Sequence, residues 1–221
     1  MEFVEVRPGV FTAVLEVEQV TTTLVVGARR ALLVDTGASP AQGAAIRQAV
    51  RSITDIPLEV VVLTHGHWDH AYGLEAFADL DTIGHENLAQ DLACAENRAW
   101  SAKQGVAPPG LPKTNLASIG VRDLGDLVVE IAHFGPAHTR SDLIIAIPQR
   151  STIIVGDLVE GEVPQFDETS SLAGWARTLD SLCFMLKPDT VIIPGHGAAL
   201  SPLEVVHFRA RLSPDPSIHR C

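Results

Sequence analysis

Thr64-His65-Gly66-His67-Trp68-Asp69-His70 is the stretch on which the reading of this chain turns. It follows Leu58-Glu59-Val60-Val61-Val62-Leu63, a short run rich in β-branched residues, as expected of a strand covered on both faces. That strand delivers His65, His67, Asp69 and His70, all with metal-ligand chemistry, into six consecutive positions. Neutral imidazoles with a carboxylate suit a divalent cation of borderline softness. In extended backbone the alternation of His65 and His67 turns both rings to one side. Asp69 and His70 then reach toward a second position where a helix opens, and Gly66 lets the backbone bend closely. By itself the cluster points to metal.

Toward the N-terminus, residues 10–17, 21–26 and 31–34 are β-branched runs separated by turn signals and read as hairpin strands. The last ends in Asp35-Thr36-Gly37. Ser39-Pro40-Ala41-Gln42 supplies an N-cap, a first-turn proline and a capping-box glutamine for a helix to about residue 52. Beyond the cluster the pattern predicts a short helix over 73–80, a strand over 81–84 and a longer helix over 86–100. Pro108-Pro109-Gly110-Leu111-Pro112 makes 105–116 an exposed loop suited to shaping access to a site. Strands over 127–134 and 143–147 flank Gly135-Pro136-Ala137-His138-Thr139-Arg140-Ser141-Asp142.

A weak internal repeat organises the whole. Strand 31–34 leads to Asp35, a helix, strand 60–63 and the histidines; strand 152–156 leads to Asp157, a helix over 171–186, strand 191–193 and His196. Ligands collect at strand ends in α/β folds, so two such halves facing each other would converge these groups on one cleft. The prediction is an α/β protein with a sheet-on-sheet core and helices outside. One domain covers 1–212, and 213–221, with two prolines, is a surface tail.

The dispersed residues gain meaning from the cluster. Gly135 and Pro136 shape the turn at His138, with Ser141 and Asp142 as orienting partners. Asp157 is a candidate ligand, its alternative being a cap or turn acid. His196 lies between Gly195 and Gly197, which remove the bulk a packing residue would need. Trp68 packs beneath the site or lines the pocket, while Trp100, the proline-rich loop and Phe166 are candidates for substrate contact. His85, His133, His207 and His219 lack neighbouring ligands and read as structural or exposed. Cys94 and Cys183 read as small buried residues in helices.

Composition narrows the partners. With 27 acidic and 16 basic residues the formal charge is −11, and no basic cluster is visible, so nucleic acid is disfavoured. Anionic small molecules are not barred, because bound cations would dominate the local field. Cys94, Cys183 and Cys221 are far apart and form no Cys-x-x-Cys pair, which fits a reducing, cytoplasmic setting. No apolar run approaches the roughly 18 residues of a membrane span, and the N-terminus has no secretory pattern. A soluble protein acting on a small-molecule substrate is expected, its oligomeric state left open.

Asp35 in Val34-Asp35-Thr36-Gly37, the His-x-His-x-Asp-His cluster, His138, Asp157, and His196 in Pro194-Gly195-His196-Gly197 together resemble the metallo-β-lactamase superfamily, over roughly residues 10 to 200. The resemblance implies an αβ/βα four-layer sandwich of two mixed β-sheets flanked by helices, with two Zn2+ per chain, Fe or Mn being alternatives. Carried over by motif, His65, His67 and His138 hold the first metal, Asp69, His70 and His196 the second, and Asp157 bridges them. Asp35 then supports the site from behind. Aspartate at 157 is similar to the glyoxalase II, lactonase and phosphodiesterase branches, whereas class B β-lactamases commonly carry cysteine or serine there. His67, in place of glutamate, sets the chain apart from flavodiiron-type members. The lactonase tyrosine has no counterpart, and the long insertion of transfer-RNA-processing members is missing.

The expected activity is that of a dinuclear zinc-dependent hydrolase acting on an ester, thioester, lactone or amide-type substrate. A metal-bridging hydroxide attacks, and Asp69 orients it. Two alternatives stand beside it: a mononuclear non-heme iron oxygenase resembling persulfide dioxygenases, and a catalytically silent metal-binding scaffold.

Overall fold

The computed structural model describes residues 1–16, 18–159 and 164–212; Val17 and the segment 213–221, with His219 and Cys221, lie outside them. Gly9, at a φ of +75° that L side chains rarely adopt, turns β1 (Val4–Arg7) onto β2 (Val10–Val14). Two further antiparallel steps add β3 (Thr21–Val26) and β4 (Ala31–Val34). The chain then crosses through α1 (Pro40–Ile53), where the Ser39 side chain accepts from the Gln42 backbone N–H, to β5 (Leu58–Val62), parallel to β4. After the short α2 (Trp68–Ala71) come β6 (Asp81–His85), α3 (Leu88–Leu92), α4 (Ala95–Gln104) and β7 (Thr114–Leu116). These strands form one seven-stranded mixed sheet in sequential order, antiparallel up to β4 and parallel from there.

The second sheet contains β8 (Ile119–Asp123), β9 (Val128–Ala132), β10 (Ile144–Ile147), β11 (Thr152–Gly156) and β12 (Val191–Pro194), adjacent in that order. β11 and β12 run parallel, joined by α5 (Leu172–Met185), and α6 (Pro202–Arg211) follows. The two parallel crossovers, β4–α1–β5 and β11–α5–β12, are the two copies of the sequence repeat.

Strand alternation sorts the apolar side chains into three layers. Leu32, Val34, Val60 and Val62 of the first sheet meet Val129, Ile131, Ile145, Ile147 and Ile154 of the second between the sheets. Leu33 and Val61, one residue out of step, face Ile46 and Val50 of α1 on the outside. Ile144, Ile153 and Ile192 likewise face Trp175 and Leu179 of α5 and Phe208 of α6. Helix, sheet, sheet and helix give the four-layer αβ/βα sandwich, and the ends of β4, β5, β11 and β12 lie along one rim.

The differences from the sequence pattern are local. β1 and β8, both edge strands, carry no strong signal, β8 because its residues alternate between exposed and half-buried, whereas α6 opens on a capping box, Ser201 to Glu204, with Pro202 in its first turn. The run from Val10 ends at Val14, because Leu15 N–H turns back to the Val20 carbonyl. The 73–80 helix reduces to a 3-10 turn, Leu74–Phe77. The 86–100 helix is broken in two where Cys94 caps α4, its Sγ accepting from Asn97 N–H. The 105–116 loop ends in β7, whose pairing with β6 a three-residue sequence cannot announce.

Candidate metal centre

Asp35 organises the exit from β5. Its Oδ1 accepts from Thr64 N–H at 2.8 Å and its Oδ2 from Thr64 Oγ1 at 2.8 Å, while Oδ2 also lies 2.8 Å from His70 Nδ1. Buried and at a φ of +63°, Asp35 stores backbone strain at the strand end that its three contacts hold in place. The turn is closed because Gly66 passes α3 so tightly that a Cβ there would stand 2.7 Å from Asp91 Cβ.

Two groups of donors converge beyond that turn. In the first, His67 Nδ1 lies 3.1 Å from His65 Nε2 and 3.1 Å from His138 Nε2, with Asp157 Oδ2 3.6 and 3.7 Å from the same two nitrogens. In the second, His196 Nε2 is 3.3 Å from His70 Nε2 and 3.4 Å from Asp69 Oδ2. Asp157 reaches this group as well, with Oδ1 3.4 Å from His70 Nε2 and Oδ2 3.3 Å from His196 Nε2. The structure thus brings together all seven residues singled out in the sequence.

The far nitrogens are fixed from behind. Thr64 Oγ1 lies 3.0 Å from His65 Nδ1, Asp167 Oδ2 3.2 Å from His67 Nε2, and the Glu18 carbonyl 2.8 Å from His196 Nδ1. Such outer contacts select which ring nitrogen faces a metal. The donor spacing fits metal too: bonds of about 2.0 Å to a tetrahedral ion place ligand atoms about 3.3 Å apart. Asp157 Oδ1, buried without a hydrogen bond, is an acceptor that a cation would satisfy. Each of the two groups can hold a metal ion.

Electrostatics divide the imidazoles. Burial and neighbouring histidines press His65 well below its ordinary value and His138 down to about 4. Burial acts the same way on His67, but the Asp167 contact and nearby acids overcome it and raise His67 to about 9. Asp157 and Asp69 likewise outweigh burial at His196, raising it to about 10. Burial alone would raise the Asp157 carboxyl, yet His70 and His65 hold it well below the usual range.

A cavity of about 440 Å³ opens over the donors. Trp68 and Phe166 line it, as two of the sequence candidates for pocket residues, but Trp100 and the 105–116 loop do not. Trp100 is instead stacked on Trp68, ring centroids 4.3 Å apart, and lines a separate groove with Ser39 and Gln42. His85 and His133 stack on each other at 3.8 Å away from the site, as the structural reading expects. Asp167, Glu18 and Glu96 border the cavity without having been singled out in the sequence. Nothing in their spacing announces them, since each arrives from a different part of the chain: Glu18 from the β2–β3 turn, Glu96 from α4 and Asp167 from the segment after β11.

Fold and site define an αβ/βα sandwich whose strand-end histidines and aspartates can bind metal. The metallo-beta-lactamase superfamily profile matches residues 15–196, and the chain belongs to that superfamily. It is similar to a linear primary-alkylsulfatase of Pseudomonas sp., 23% identical over 230 residues that cover 83% of this chain and 42% of that protein. It is also similar to the acyl-coenzyme A thioesterase MBLAC2 of Gallus gallus, 23% identical over 155 residues, 62% of this chain and 56% of that one. The chain therefore spans about half the length of these two relatives. Among solved structures, a metallo-beta-lactamase from Pontibacter korlensis superposes with a TM-score of 0.80 at 20% identity, covering 97% of this chain and 99% of that one.

Proposed function

We propose that this chain is a dinuclear zinc-dependent hydrolase acting on ester, thioester, lactone or amide-type small molecules. The observation that carries the reading is the Asp157 carboxylate, which faces His65 and His138 on one side and His70 and His196 on the other within 3.3–3.7 Å. In this reading His65, His67 and His138 hold one ion, Asp69, His70 and His196 the second, and Asp157 both. Iron or manganese suits the same donors. A complete second donor group is what a mononuclear iron oxygenase would leave unused. The similarity to a sulfatase and a thioesterase, both hydrolases, supports the reaction class.

Held by these residues, such ions would supply Lewis acidity, lowering the pKa of water toward about 7 and making a carbonyl more open to attack. The chain's own residues do the rest. Asp69 lines the cavity and, as a carboxylate, accepts a hydrogen bond from the attacking water and carries its proton toward the leaving group. Asp35, Asp167 and the Glu18 carbonyl hold the rings of His70, His67 and His196 in register. Trp68 and Phe166 form apolar wall that excludes water beside the reacting bond.

A cytoplasmic setting belongs to the same proposal, supported by Cys94 and Cys183 both being free. Among the described residues no helix is long and apolar enough to cross a membrane. The test is metal analysis of the purified protein together with a panel of thioester, lactone, β-lactam and phosphodiester substrates. Two zinc ions per chain and turnover abolished in His67→Ala are expected. Less than one metal per chain, or undiminished turnover in that variant, would overturn the proposal.

A further inference from the structure

Around the metal donors the cavity carries one sign of charge. Glu18 enters from the β2–β3 turn, Glu96 from the first turn of α4, and Asp167 from the segment after β11. Among the described residues none lining it is lysine or arginine, and the sequence joining Asp157 to Asp167 contains neither. Arg140, two residues past His138, is held by Asp91 Oδ1 at 3.4 Å and the Glu168 carbonyl at 3.0 Å and does not line the cavity. Even two divalent ions would bring four charges against five carboxylates: Glu18, Asp69, Glu96, Asp157 and Asp167.

The walls suit a cation. Phe166 is 53% exposed at the mouth. Trp68 is tied to the acid beside it, its indole N–H donating to Glu96 Oε1 at 3.3 Å. Aromatic faces with adjoining carboxylates attract ammonium groups. An anionic arm would instead leave water for a rim with no cationic side chain to replace its solvation. The buried Asp157 Oδ1, which lines the same cavity, belongs to the metal site, and Asp167 is engaged by His67 Nε2 at 3.2 Å, so Glu18 and Glu96 are the acids left to face a substrate cation.

We propose that this cavity selects substrates bearing an amine or quaternary ammonium group beside the scissile bond, with Glu18 and Glu96 as the acids that determine the choice. The proposal rests on the hydrolase reading for its chemistry, and it goes against the expectation that bound cations dominate the local field and leave anionic small molecules admissible.

The test uses the zinc-loaded full chain and three thiols of matched shape, carrying a trimethylammonium, a tert-butyl or a sulfonate group, together with the corresponding acetyl thioesters. Dissociation constants come from calorimetry and kcat/KM from thiol release. Intrinsic differences among the thiols cancel when the cation-to-neutral ratio is compared between the parent protein and Glu18→Gln, Glu96→Gln and the double variant. The ratio should fall about five- to tenfold in the double variant and shrink at high salt. The same substitution at a distant acid, Asp55→Asn, should leave it unchanged. Glu18→Gln covers the case in which loss of the Trp68 contact disturbs the fold of the others. An unchanged ratio in the folded variants, or a parent protein that prefers the sulfonate, would overturn the proposal. Thiol binding ranked as expected with no thioester cleaved would remove thioesters from the hydrolase reading and leave this one standing.

Discussion

His70 presents Nδ1 to Asp35 Oδ2 at 2.8 Å and Nε2 to Asp157 Oδ1 at 3.4 Å, so an acid at the end of β4 decides which face of the ring meets the cleft. The same division recurs at His67, whose Nε2 is taken by Asp167 while Nδ1 faces His65 and His138. His196 repeats it with the Glu18 carbonyl behind and Asp69 and Asp157 in front. The partners behind the rings come from three separate parts of the chain. The site is therefore assembled by the fold as a whole, and its outer contacts are open to separate perturbation.

Asp35→Asn tests the first of these contacts. Asparagine tolerates the positive φ at this position, so the backbone should survive. One amide oxygen cannot serve Thr64 N–H, Thr64 Oγ1 and His70 Nδ1 as two carboxylate oxygens do. Affinity for one of the two zinc ions should fall about 10- to 100-fold, more than for the other, in competition with a chromophoric chelator. Equal affinities to those of the parent protein would contradict the role given to Asp35.

Asp167→Ala probes the opposite wall. Removing the carboxylate frees His67 Nε2, and the raised His67 pKa, near 9 in the metal-free protein, should move back toward or below its ordinary value. The ring then loses its fixed orientation, with a loss of metal affinity of about 10- to 100-fold. Titration of the His67 ring by NMR in the metal-free variant separates this electrostatic effect from simple misfolding.

How legible all this was depends on the range of each interaction. The strands around Val60–Val62 and Leu32–Val34 could be read because full burial leaves continuous apolar runs, and the histidine cluster could be read because it follows β5 directly. Asp35 already stood out at its strand end. Asp167 did not, because its partner His67 is 100 positions away and no spacing rule spans that distance. Trp100 misled as well. Read together with the proline-rich loop as a candidate for substrate contact, it stacks on Trp68 instead and lines a separate groove.

Metal loading should release protons. In the metal-free protein His67 and His196, raised to about 9 and about 10, and His70, which Asp157, Asp69 and Asp35 hold well above its ordinary value against the effect of burial, are protonated at pH 7, and coordination requires all three neutral. Zinc binding at pH 7 should therefore release about three protons, and affinity should rise with pH until at least about 9 to 10. Calorimetry in buffers of different ionisation enthalpy measures the release. The linkage to stability has a definite sign. Folded pKa values raised above the unfolded 6.5 contribute stability that is complete below about 6.5 and is lost as pH climbs through 9 to 10. The metal-free Tm should fall across that window, and the zinc-loaded Tm should fall less.

Two glycines flanking His196 separate space from conformation. At Gly195 an added Cβ would overlap Asp157 Oδ1 and stand 2.8 Å from His70 Cε1. The backbone cannot retreat, because Gly195 N–H donates to the Gly156 carbonyl at 2.9 Å and its carbonyl accepts from Thr21 N–H at 2.7 Å. Gly197 has nothing within 4 Å of such a Cβ but lies at a φ of +83°. Gly195→Ala should cost about 1–3 kcal/mol of stability from overpacking and, by displacing the Asp157 carboxylate, deplete bound zinc and abolish turnover. Gly197→Ala should cost about 1–2 kcal/mol of backbone strain while keeping its metal. Thermal unfolding measured beside zinc content distinguishes them. Full zinc occupancy in Gly195→Ala would show that Asp157 is not needed where the structure puts it.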